Sequence, residues 1–367
     1  MTTSESILCY NLMADRLFDP EICKKLTVFY HGGCPDGTAG AWAIYRRLHP
    51  DFRDIVAELI GENPTVDPLV QLEKNGIVFQ GIGHAEPEPN PNLIADRHVV
   101  YVDITPSVAI GLQVLQSAAS LKILDHHRSA LAACETLLLT GVRSLHVVYD
   151  EKRSGAAIAW DWAHPGIKRP RVLDYIGDRD IWTFALPHSR EVNKYIHTRG
   201  CSRSFNALDV AAGCTLSDNG KSLEVLADYG NAAEKIVTFG AAYLEVEQAL
   251  TERIASFAKL ATVTVNTPDG PRDYTVACVN SCCLLSEVGE KIMADAAPEV
   301  DFAITWQYVA DRNEIWVSAR TTRDHIDLSK LTTSVVGAIR GGGHPRAAGF
   351  TIPGDSPSAA IRFRTSL

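Results

Sequence analysis

Three short apolar runs in the first half of the sequence are each followed by residues that bind metals or move protons. The runs are LTVFY at 26–30, VVYV at 99–102 and LKIL at 121–124. The residues that follow them are His31, Cys34 and Asp36; Asp103; and Asp125, His126 and His127. A buried strand usually ends in turn-forming residues. Carboxylates, imidazoles and a thiol at this position indicate a chemical site rather than a simple turn.

Carboxylates that crowd together repel one another, and their pKa values rise unless a cation lies between them. Carboxylate oxygens together with imidazoles suit Mn²⁺ or Mg²⁺ better than they suit thiophilic metals. Two such ions held close together can activate a water and clamp a phosphoryl oxygen. A single acid such as Asp36 is equally well explained as a helix cap. A fourth candidate acid lies in YIGDRDIW, where Asp178 and Asp180 follow an apolar helical stretch.

The elements that position these residues alternate between strands and helices. Strand-like runs also occur at 76–80 and 144–150, and helical patterns occur at 38–48, 106–117 and 154–163. This alternation predicts an α/β fold with a parallel sheet that is covered on both faces. The carboxyl ends of parallel strands share one edge, where ligands bind. We therefore expect the three acid-bearing strand ends to converge.

The second half of the chain has a different pattern. Apolar residues on one helical face between 232 and 257 predict a long amphipathic helix. Strand-like runs around a helix at 286–297 then predict a smaller α/β domain with a mixed sheet, which includes GGGHPRAAGF at 341–350. We divide the chain into an N-terminal domain at 1–204, a helical connector at 205–260 and a C-terminal domain at 261–367.

Composition limits the classes of partner. The 367 residues are 46% hydrophobic, so the chain can bury a large core, and the formal net charge of −9 argues against binding to long duplex nucleic acid. The nine cysteines form no CxxC pair and are expected to be reduced thiols. No signal peptide and no membrane-spanning stretch are expected, so a cytoplasmic location is predicted.

The motifs CPDG, Asp103, DHH at 125–127, GDRD at 177–180 and GGGH at 341–344 occur in an order that resembles the DHH phosphoesterase family. The resemblance is to the subgroup with a DHH-associated C-terminal domain, which includes RecJ-like exonucleases and nano-RNases. It spans residues 26–350. DHH alone is a weak signal, whereas DHH followed by GGGH is a strong one.

The resemblance implies a role for each matching residue. The implied metal ligands are His31, Asp36, Asp103, His126 and Asp178, with Asp103 bridging two ions, Mn²⁺ or alternatively Mg²⁺. Asp125 would orient an imidazole, and His127 would lie near the substrate phosphate. The implied substrate-binding residues are Arg320, Gly341, Gly342, Gly343, His344 and Arg346. The glycines would let backbone amides approach an anion.

Two positions leave alternatives open. Cys34 lies where the family usually has an aspartate. Three roles stay open for it: a metal ligand, a neighbour of a ligand, or a residue that takes no part in metal binding. Asp178 and Asp180 compete for one ligand role, and the preceding Gly177 favours Asp178. Each stays a candidate at this point.

The function expected from the motifs and the resemblance is that of a metal-dependent phosphoesterase. It would hydrolyse short nucleotides, namely oligoribonucleotides or dinucleotides, in the 3′→5′ direction. Inorganic pyrophosphate or polyphosphate hydrolysis is an alternative that the GGGH motif disfavours. A non-catalytic nucleotide-binding regulator is another. A homodimer is an open possibility for the assembly.

Overall fold

The computed structural model describes residues 8–9, 17–48, 68–83, 90–211, 231–355 and 361–363. The chain divides into two compact units, Met1–Tyr243 and Leu244–Leu367. Each unit contains one β-sheet with helices, so the predicted α/β fold with a parallel-sheet domain and a smaller mixed-sheet domain is confirmed. The division falls inside a helix at Asn231–Ala255, which confirms the predicted long helix.

The first unit contains a six-stranded sheet. Its strands are β1 (Leu8–Cys9), β2 (Leu26–His31), β3 (Val78–Ile82), β4 (His98–Val102), β5 (Ser120–Asp125) and β6 (Leu145–Tyr149). Their order across the sheet is β1-β6-β5-β4-β2-β3. All neighbouring pairs are parallel except β1 and β6, which are antiparallel.

Helices cover both faces of this sheet, which explains why its central strands are almost continuously apolar. The helices that the structure describes in this unit are α1 (Pro20–Cys23), α2 (Pro35–Arg47), α3 (Pro68–Lys74), α4 (Val108–Ser117), α5 (Leu131–Leu138), α6 (Gly155–Ala163), α7 (Arg171–Asp180), α8 (Ser189–Thr198) and α9 (Phe205–Ala211), and α10 (Asn231–Ala255) continues into the second unit. Residues of α2, α6, α7 and α8 pack in the core on one face, and residues of α4 and α5 pack on the other.

The strand order places a topological switch point between β2 and β4. The chain leaves β2 toward β3 at one edge of the sheet, and it leaves β4 toward β5 in the opposite direction. Ligands of open α/β sheets bind beside the carboxyl ends of strands at such a point. The predicted acids and imidazoles lie at or just after the carboxyl ends of β2, β4 and β5. They therefore lie at the edge of the sheet where this topology predicts that a ligand binds.

The second unit contains a seven-stranded mixed sheet. Its elements are β7 (Lys259–Thr267), β8 (Gly270–Asn280), α11 (Leu285–Asp295), β9 (Phe302–Val309), β10 (Glu314–Arg320), α12 (Leu328–Leu331), β11 (Arg340–Gly343), β12 (Ala347–Pro353) and β13 (Ile361–Phe363). The order is β11-β12-β10-β9-β8-β7-β13, and only β8 and β9 pair in parallel. Among the described residues, no helix has both the length and the apolar character that crossing a membrane requires.

Candidate metal centre

The carboxyl ends of β2, β4 and β5 bring acids and imidazoles into one buried cluster. His126 is fully buried. Its Nε2 atom lies 3.1 Å from Asp103 Oδ1, 3.2 Å from Asp180 Oδ2 and 3.8 Å from Asp36 Oδ2. A buried site that gathers three carboxylates around one imidazole nitrogen concentrates negative charge, and such charge needs a cation close by.

Asp103 lies at the centre of the cluster, and its two carboxylate oxygens lie near different imidazoles. Its Oδ1 atom lies toward His126, whereas its Oδ2 atom lies 3.4 Å from His31 Nδ1. We call the first the Oδ1 side, formed with Asp36, His126 and Asp180, and the second the Oδ2 side, formed with His31. The backbone φ of Asp103 is +58°, a strained conformation for a residue other than glycine. The fold therefore holds this carboxylate in an orientation that the backbone alone does not favour.

Asp125 fixes the orientation of His127. The Asp125 Oδ1 atom accepts hydrogen bonds from the backbone N–H of His126 at 2.7 Å, and from the N–H and Nδ1 of His127 at 3.0 and 2.8 Å. Its Oδ2 atom accepts a hydrogen bond of 2.5 Å from Thr105 Oγ1. Burial raises the pKa of Asp125, but the charge and the hydrogen bond of His127 outweigh burial and lower the pKa to about 2. An ionised Asp125 accepts the Nδ1–H of His127 and so fixes the orientation of the ring, which leaves Nε2 directed away from Asp125.

Asp36 belongs to α2, and its carboxylate lies at the start of helix α6. Its carboxylate accepts hydrogen bonds from Gly155 N at 2.6 Å and from Ala156 N at 3.1 Å. The helix dipole favours a negative charge at this end. Ser154 caps α6, because its Oγ accepts a hydrogen bond from Ala157 N at 3.3 Å.

Gly155 is a residue of the site that the sequence interpretation missed. A Cβ atom at this position would lie 2.7 Å from Asp103 Cβ and 3.0 Å from Asp36 Oδ2. The two carboxylates therefore approach each other across a helix start that has no side chain. The only sequence signal was the Ser154-Gly155 pair at the start of an apolar helix, a pattern that is also found in ordinary capped helices.

The structure places Asp180, and not the favoured Asp178, against His126. The Asp178 carboxylate accepts hydrogen bonds from Thr183 Oγ1 at 2.5 Å, Ala185 N at 2.8 Å and Leu186 N at 3.0 Å. It therefore organises the segment after α7, and its oxygens are occupied there. Asp180 instead lies against His126. Two residues along a helix are about 200° apart around its axis, so Asp178 and Asp180 face different surroundings.

Cys34 lies beside the Oδ2 side. It is the N-cap residue of α2, and its side chain makes no capping hydrogen bond. Burial and the negative charge of Asp103 raise the pKa of the Cys34 thiol. A role of Cys34 as a metal ligand stays a prediction.

The electrostatics of the cluster fit a cation. Burial, followed by the charges of neighbouring acids, raises the pKa of Asp36 well above its ordinary value. Burial lowers the pKa of His126, but its hydrogen bond with Asp103 and the charges of Asp180 and Asp36 raise it to about 10. Among the described residues, the buried atoms Asp103 Oδ2 and Asp180 Oδ2 have no hydrogen-bond donor. Carboxylate oxygens that lack a donor beside imidazoles are the donor set of a metal site.

Within the described residues of the first unit, two sets of ligand atoms are close enough to hold an ion. In one set, atoms of Asp36, Asp103 and His126 all lie within 4.8 Å of one another. In the other set, the same holds for His31, Asp103 and His127. Asp103 belongs to both sets. The predicted residues of the first unit are thus brought together, except Asp178.

The candidate substrate-binding residues of the second unit lie near one end of the β10–β12 pair. Arg320 pairs with Ala347, and its guanidinium donates to Ser318 Oγ at 3.0 Å and to Ser286 Oγ at 2.6 Å. A short turn begins at His344, whose N–H donates to Ala347 O at 2.8 Å. Arg346 lies in this turn and forms an exposed ion pair of 2.7 Å with Asp324.

The three glycines of GGGH form strand β11 beside β12. A Cβ atom at Gly341 would lie 2.0 Å from Thr332 O, and one at Gly343 would lie 2.6 Å from Ala348 Cα. Close packing therefore explains why Gly341 and Gly343 are glycines. An anion-binding role for Gly341, Gly342 and Gly343 stays a prediction.

Comparison with known proteins gives remote similarity. No protein-family model matches the sequence. One relative is an uncharacterized protein of Acanthamoeba polyphaga mimivirus, which is 23% identical over 327 residues that make up 89% of this chain and 67% of the relative. This relative carries no description of an activity.

Several solved structures are similar to this chain in the path of the backbone. RecJ of Thermus thermophilus in complex with Mn²⁺ has a TM-score of 0.44 and 15% identity, covering 96% of this chain and 54% of RecJ. The DHH domain of a member of the s1p family of ribosomal proteins has a TM-score of 0.44 and 13% identity, covering 97% and 92% of the two chains. A pGpG-specific phosphodiesterase of Vibrio cholerae has a TM-score of 0.38 and 12% identity, covering 90% and 94%.

Proposed function

We propose that this protein is a metal-dependent phosphoesterase of the DHH type. Its substrates would be oligoribonucleotides or dinucleotides, cleaved from the 3′ end. Two Mn²⁺ ions, or Mg²⁺ ions in their place, would occupy the cluster that follows β2, β4 and β5. The observation that carries the proposal is the convergence of Asp36, Asp103 and Asp180 on the single imidazole nitrogen of His126.

The ligand assignment follows the contacts of each side chain. Asp36, Asp103, His126 and Asp180 would hold the ion on the Oδ1 side. His31 and the other oxygen of Asp103 would hold the ion on the Oδ2 side. Asp180 replaces Asp178 in this assignment, because the oxygens of Asp178 accept hydrogen bonds from the segment that follows α7.

The remaining chemistry falls to protein side chains. When bound, the ions would polarise the phosphoryl group and supply a nucleophile at neutral pH. His127, which is oriented by Asp125 through a hydrogen bond of 2.8 Å, would present Nε2 to the substrate phosphate. The strained backbone of Asp103 keeps its two oxygens directed to opposite sides, so both ions depend on one residue.

A short substrate agrees with the charge of the chain. The net charge of −9 disfavours long nucleic acids, whose binding relies on many contacts between cations and phosphates. A short nucleotide needs few such contacts. Arg320, His344 and Arg346 of the second unit are the candidates to provide them.

The test is hydrolysis by protein that has been stripped with a chelator and reloaded with Mn²⁺. The substrate panel contains a linear diribonucleotide, a short RNA, a cyclic dinucleotide, pyrophosphate and polyphosphate. We expect the first two to be cleaved, with loss of cleavage in Asp103→Asn. Asn is chosen because it tolerates a positive φ better than Ala does.

Asp96→Asn is the matched control. Asp96 lies before the opposite end of β4, also has a positive φ of 55°, and is exposed. It should retain activity. Cleavage of pyrophosphate or polyphosphate alone would replace the proposal with a pyrophosphatase function. Binding of nucleotides without any hydrolysis under saturating Mn²⁺ would indicate a regulator and contradict the proposal.

A further inference from the structure

Helix α7 ends in a Schellman motif in which a tryptophan occupies the position that usually holds a glycine. The N–H of Trp182 donates to Arg179 O at 3.0 Å, and the N–H of Thr183 donates to Asp178 O at 3.0 Å. These two hydrogen bonds define the motif, whose first residue after the cap adopts a positive φ. The φ of Trp182 is +59°. A large side chain is disfavoured in this conformation, so helix termination alone does not explain the tryptophan.

The segment that follows α7 has an unusual backbone at two further positions. Phe184 and His188 also have positive φ values, 47° and 54°. The carboxylate of Asp178 holds the segment in place, because it accepts hydrogen bonds from Ala185 N at 2.8 Å and from Leu186 N at 3.0 Å. Backbone strain persists only where surrounding contacts enforce it, and it is concentrated at functional sites. The strained segment is therefore a candidate for a role in binding.

This segment presents an aromatic surface to solvent. Trp182 is 39% exposed. Its ring meets Phe184 edge to face, with ring centroids 5.0 Å apart and planes at 75°. The guanidinium of Arg190 lies 3.9 Å from the centroid of the Phe184 ring. Phe184 thus contacts both the indole and a cation, so it supports the exposed ring and keeps a positive charge close to it.

Trp182 lies close to the candidate metal centre along the chain. It follows Asp180 by two residues, so the two Cα atoms lie within about 7 Å of each other. Asp180 Oδ2 lies 3.2 Å from His126 Nε2 in the cluster. A nucleotide whose phosphate is held at the cluster carries its base at a comparable distance from that phosphate. An exposed aromatic ring beside a phosphate site is an arrangement that proteins use to stack bases.

We infer that Trp182 is a base-stacking residue for a nucleotide whose phosphate is held at the metal cluster. The ligand class is a purine or pyrimidine nucleotide. The inference rests on the proposed function only in that the substrate is a nucleotide. Because every base has an aromatic face, Trp182 contributes affinity for a base without selecting one sequence.

The test compares the binding of adenosine monophosphate and ribose 5-phosphate to Mn²⁺-loaded protein by calorimetry. The two probes share the sugar and the phosphate and differ by the base. We expect Trp182→Gly to lower the affinity for adenosine monophosphate by about 5- to 150-fold, the range for one base–aromatic stack. The affinities for ribose 5-phosphate and for Mn²⁺ should stay unchanged. Glycine suits this φ, so the variant should unfold at an unchanged or higher temperature.

Three further variants separate stacking from other roles. Trp182→Phe keeps an aromatic ring and should retain most of the affinity for adenosine monophosphate. Trp182→Leu keeps an apolar side chain without aromatic character and should lose affinity as Trp182→Gly does. Asp96→Gly, which removes the side chain from another exposed residue with a positive φ of 55°, should bind both probes as the unaltered protein does.

The inference is overturned by unchanged affinity for adenosine monophosphate in Trp182→Gly, by equal affinities in Trp182→Leu and Trp182→Phe, or by an equal loss of ribose 5-phosphate binding. It is also overturned if the unaltered protein does not bind adenosine monophosphate. Hydrolysis of the nucleotide panel together with any of these results leaves the proposed function standing. Loss of base-dependent binding in Trp182→Gly without any hydrolysis leaves this inference standing and contradicts the proposed function.

Discussion

Gly155→Ala is expected to separate the two carboxylates that meet at the start of α6. The new Cβ atom would lie 2.7 Å from Asp103 Cβ, which is 0.7 Å short of the 3.4 Å at which ordinary contact begins. It would also lie 2.9 Å from Asp103 Oδ1 and 3.0 Å from Asp36 Oδ2. The Asp103 Cβ atom is attached to a backbone with a strained φ, so it has little freedom to move away.

The size of the effect follows from the tolerance of metal coordination. Ligand distances in metal sites vary by about 0.2 Å, which is less than the displacement that this methyl group requires. We expect Mn²⁺ affinity to fall by about 10- to 100-fold. Overpacking of the buried helix start should also lower the free energy of unfolding by about 1–3 kcal/mol.

The assay is calorimetric titration of Mn²⁺ into chelator-treated protein, with hydrogen exchange of α6 to show that the helix remains folded. Gly83→Ala is the control, because a Cβ atom there meets no atom of the described residues within 4 Å. It should bind Mn²⁺ as the unaltered protein does. Unchanged Mn²⁺ affinity in Gly155→Ala would refute the idea that this glycine sets the approach of Asp36 and Asp103.

Two further substitutions test neighbouring parts of the first unit. Asp180→Asn should weaken Mn²⁺ binding in calorimetry by about tenfold or more, whereas Asp174→Asn on the same helix should not; equal affinities would remove Asp180 from the ligand set. Lys122→Met should stabilise the fold, because burial lowers the pKa of Lys122 from 10.5 to about 8 and so destabilises the native state by up to about 3 kcal/mol at neutral pH. This loss of stability is fully present below the pKa of Lys122 in the folded protein, about 8, and it disappears as the pH rises through the unfolded-state pKa of 10.5. Urea unfolding should therefore show that Lys122→Met is more stable than the unaltered protein at neutral pH and equally stable at high pH. A stabilisation that does not depend on pH would contradict the assignment of the effect to the charge of Lys122.

The convergence of the strand ends could be predicted from the sequence, because it follows from a small number of general rules about parallel sheets. Apolar runs separated by helical patterns specify a parallel sheet, and a parallel sheet brings its carboxyl ends to one edge. Asp103, Asp125 and His126 follow such ends directly, so their meeting required no knowledge of packing. His31 is the last residue of the remaining strand β2, and Asp36 follows it by five residues.

The choice between Asp178 and Asp180 was not predictable in the same way. Both acids lie in one turn of α7, and their roles depend on which face of the helix meets His126. The deciding contacts of Asp178 come from Thr183 and Leu186, in a segment without a periodic pattern. Similarly, the approach of two carboxylates to Gly155 joins residues more than 50 positions apart, and only tertiary packing brings them together.

Metal binding should therefore be visible as stability of the first unit. Burial and neighbouring negative charges raise the pKa values of the buried Asp36 and of the partly buried Asp180, so the cluster opposes folding unless a cation is present. An ion that binds only the folded protein stabilises it by about 2.7 kcal/mol at a hundredfold excess over Kd. Hydrogen exchange of β4 and β5 should slow accordingly when Mn²⁺ is added. Asp103→Asn should lose most of this increment, because Asp103 belongs to both sets of ligand atoms, and Asp96→Asn should keep it. If saturating Mn²⁺ left the exchange of both strands unchanged in the unaltered protein, these carboxylates would not form a metal centre.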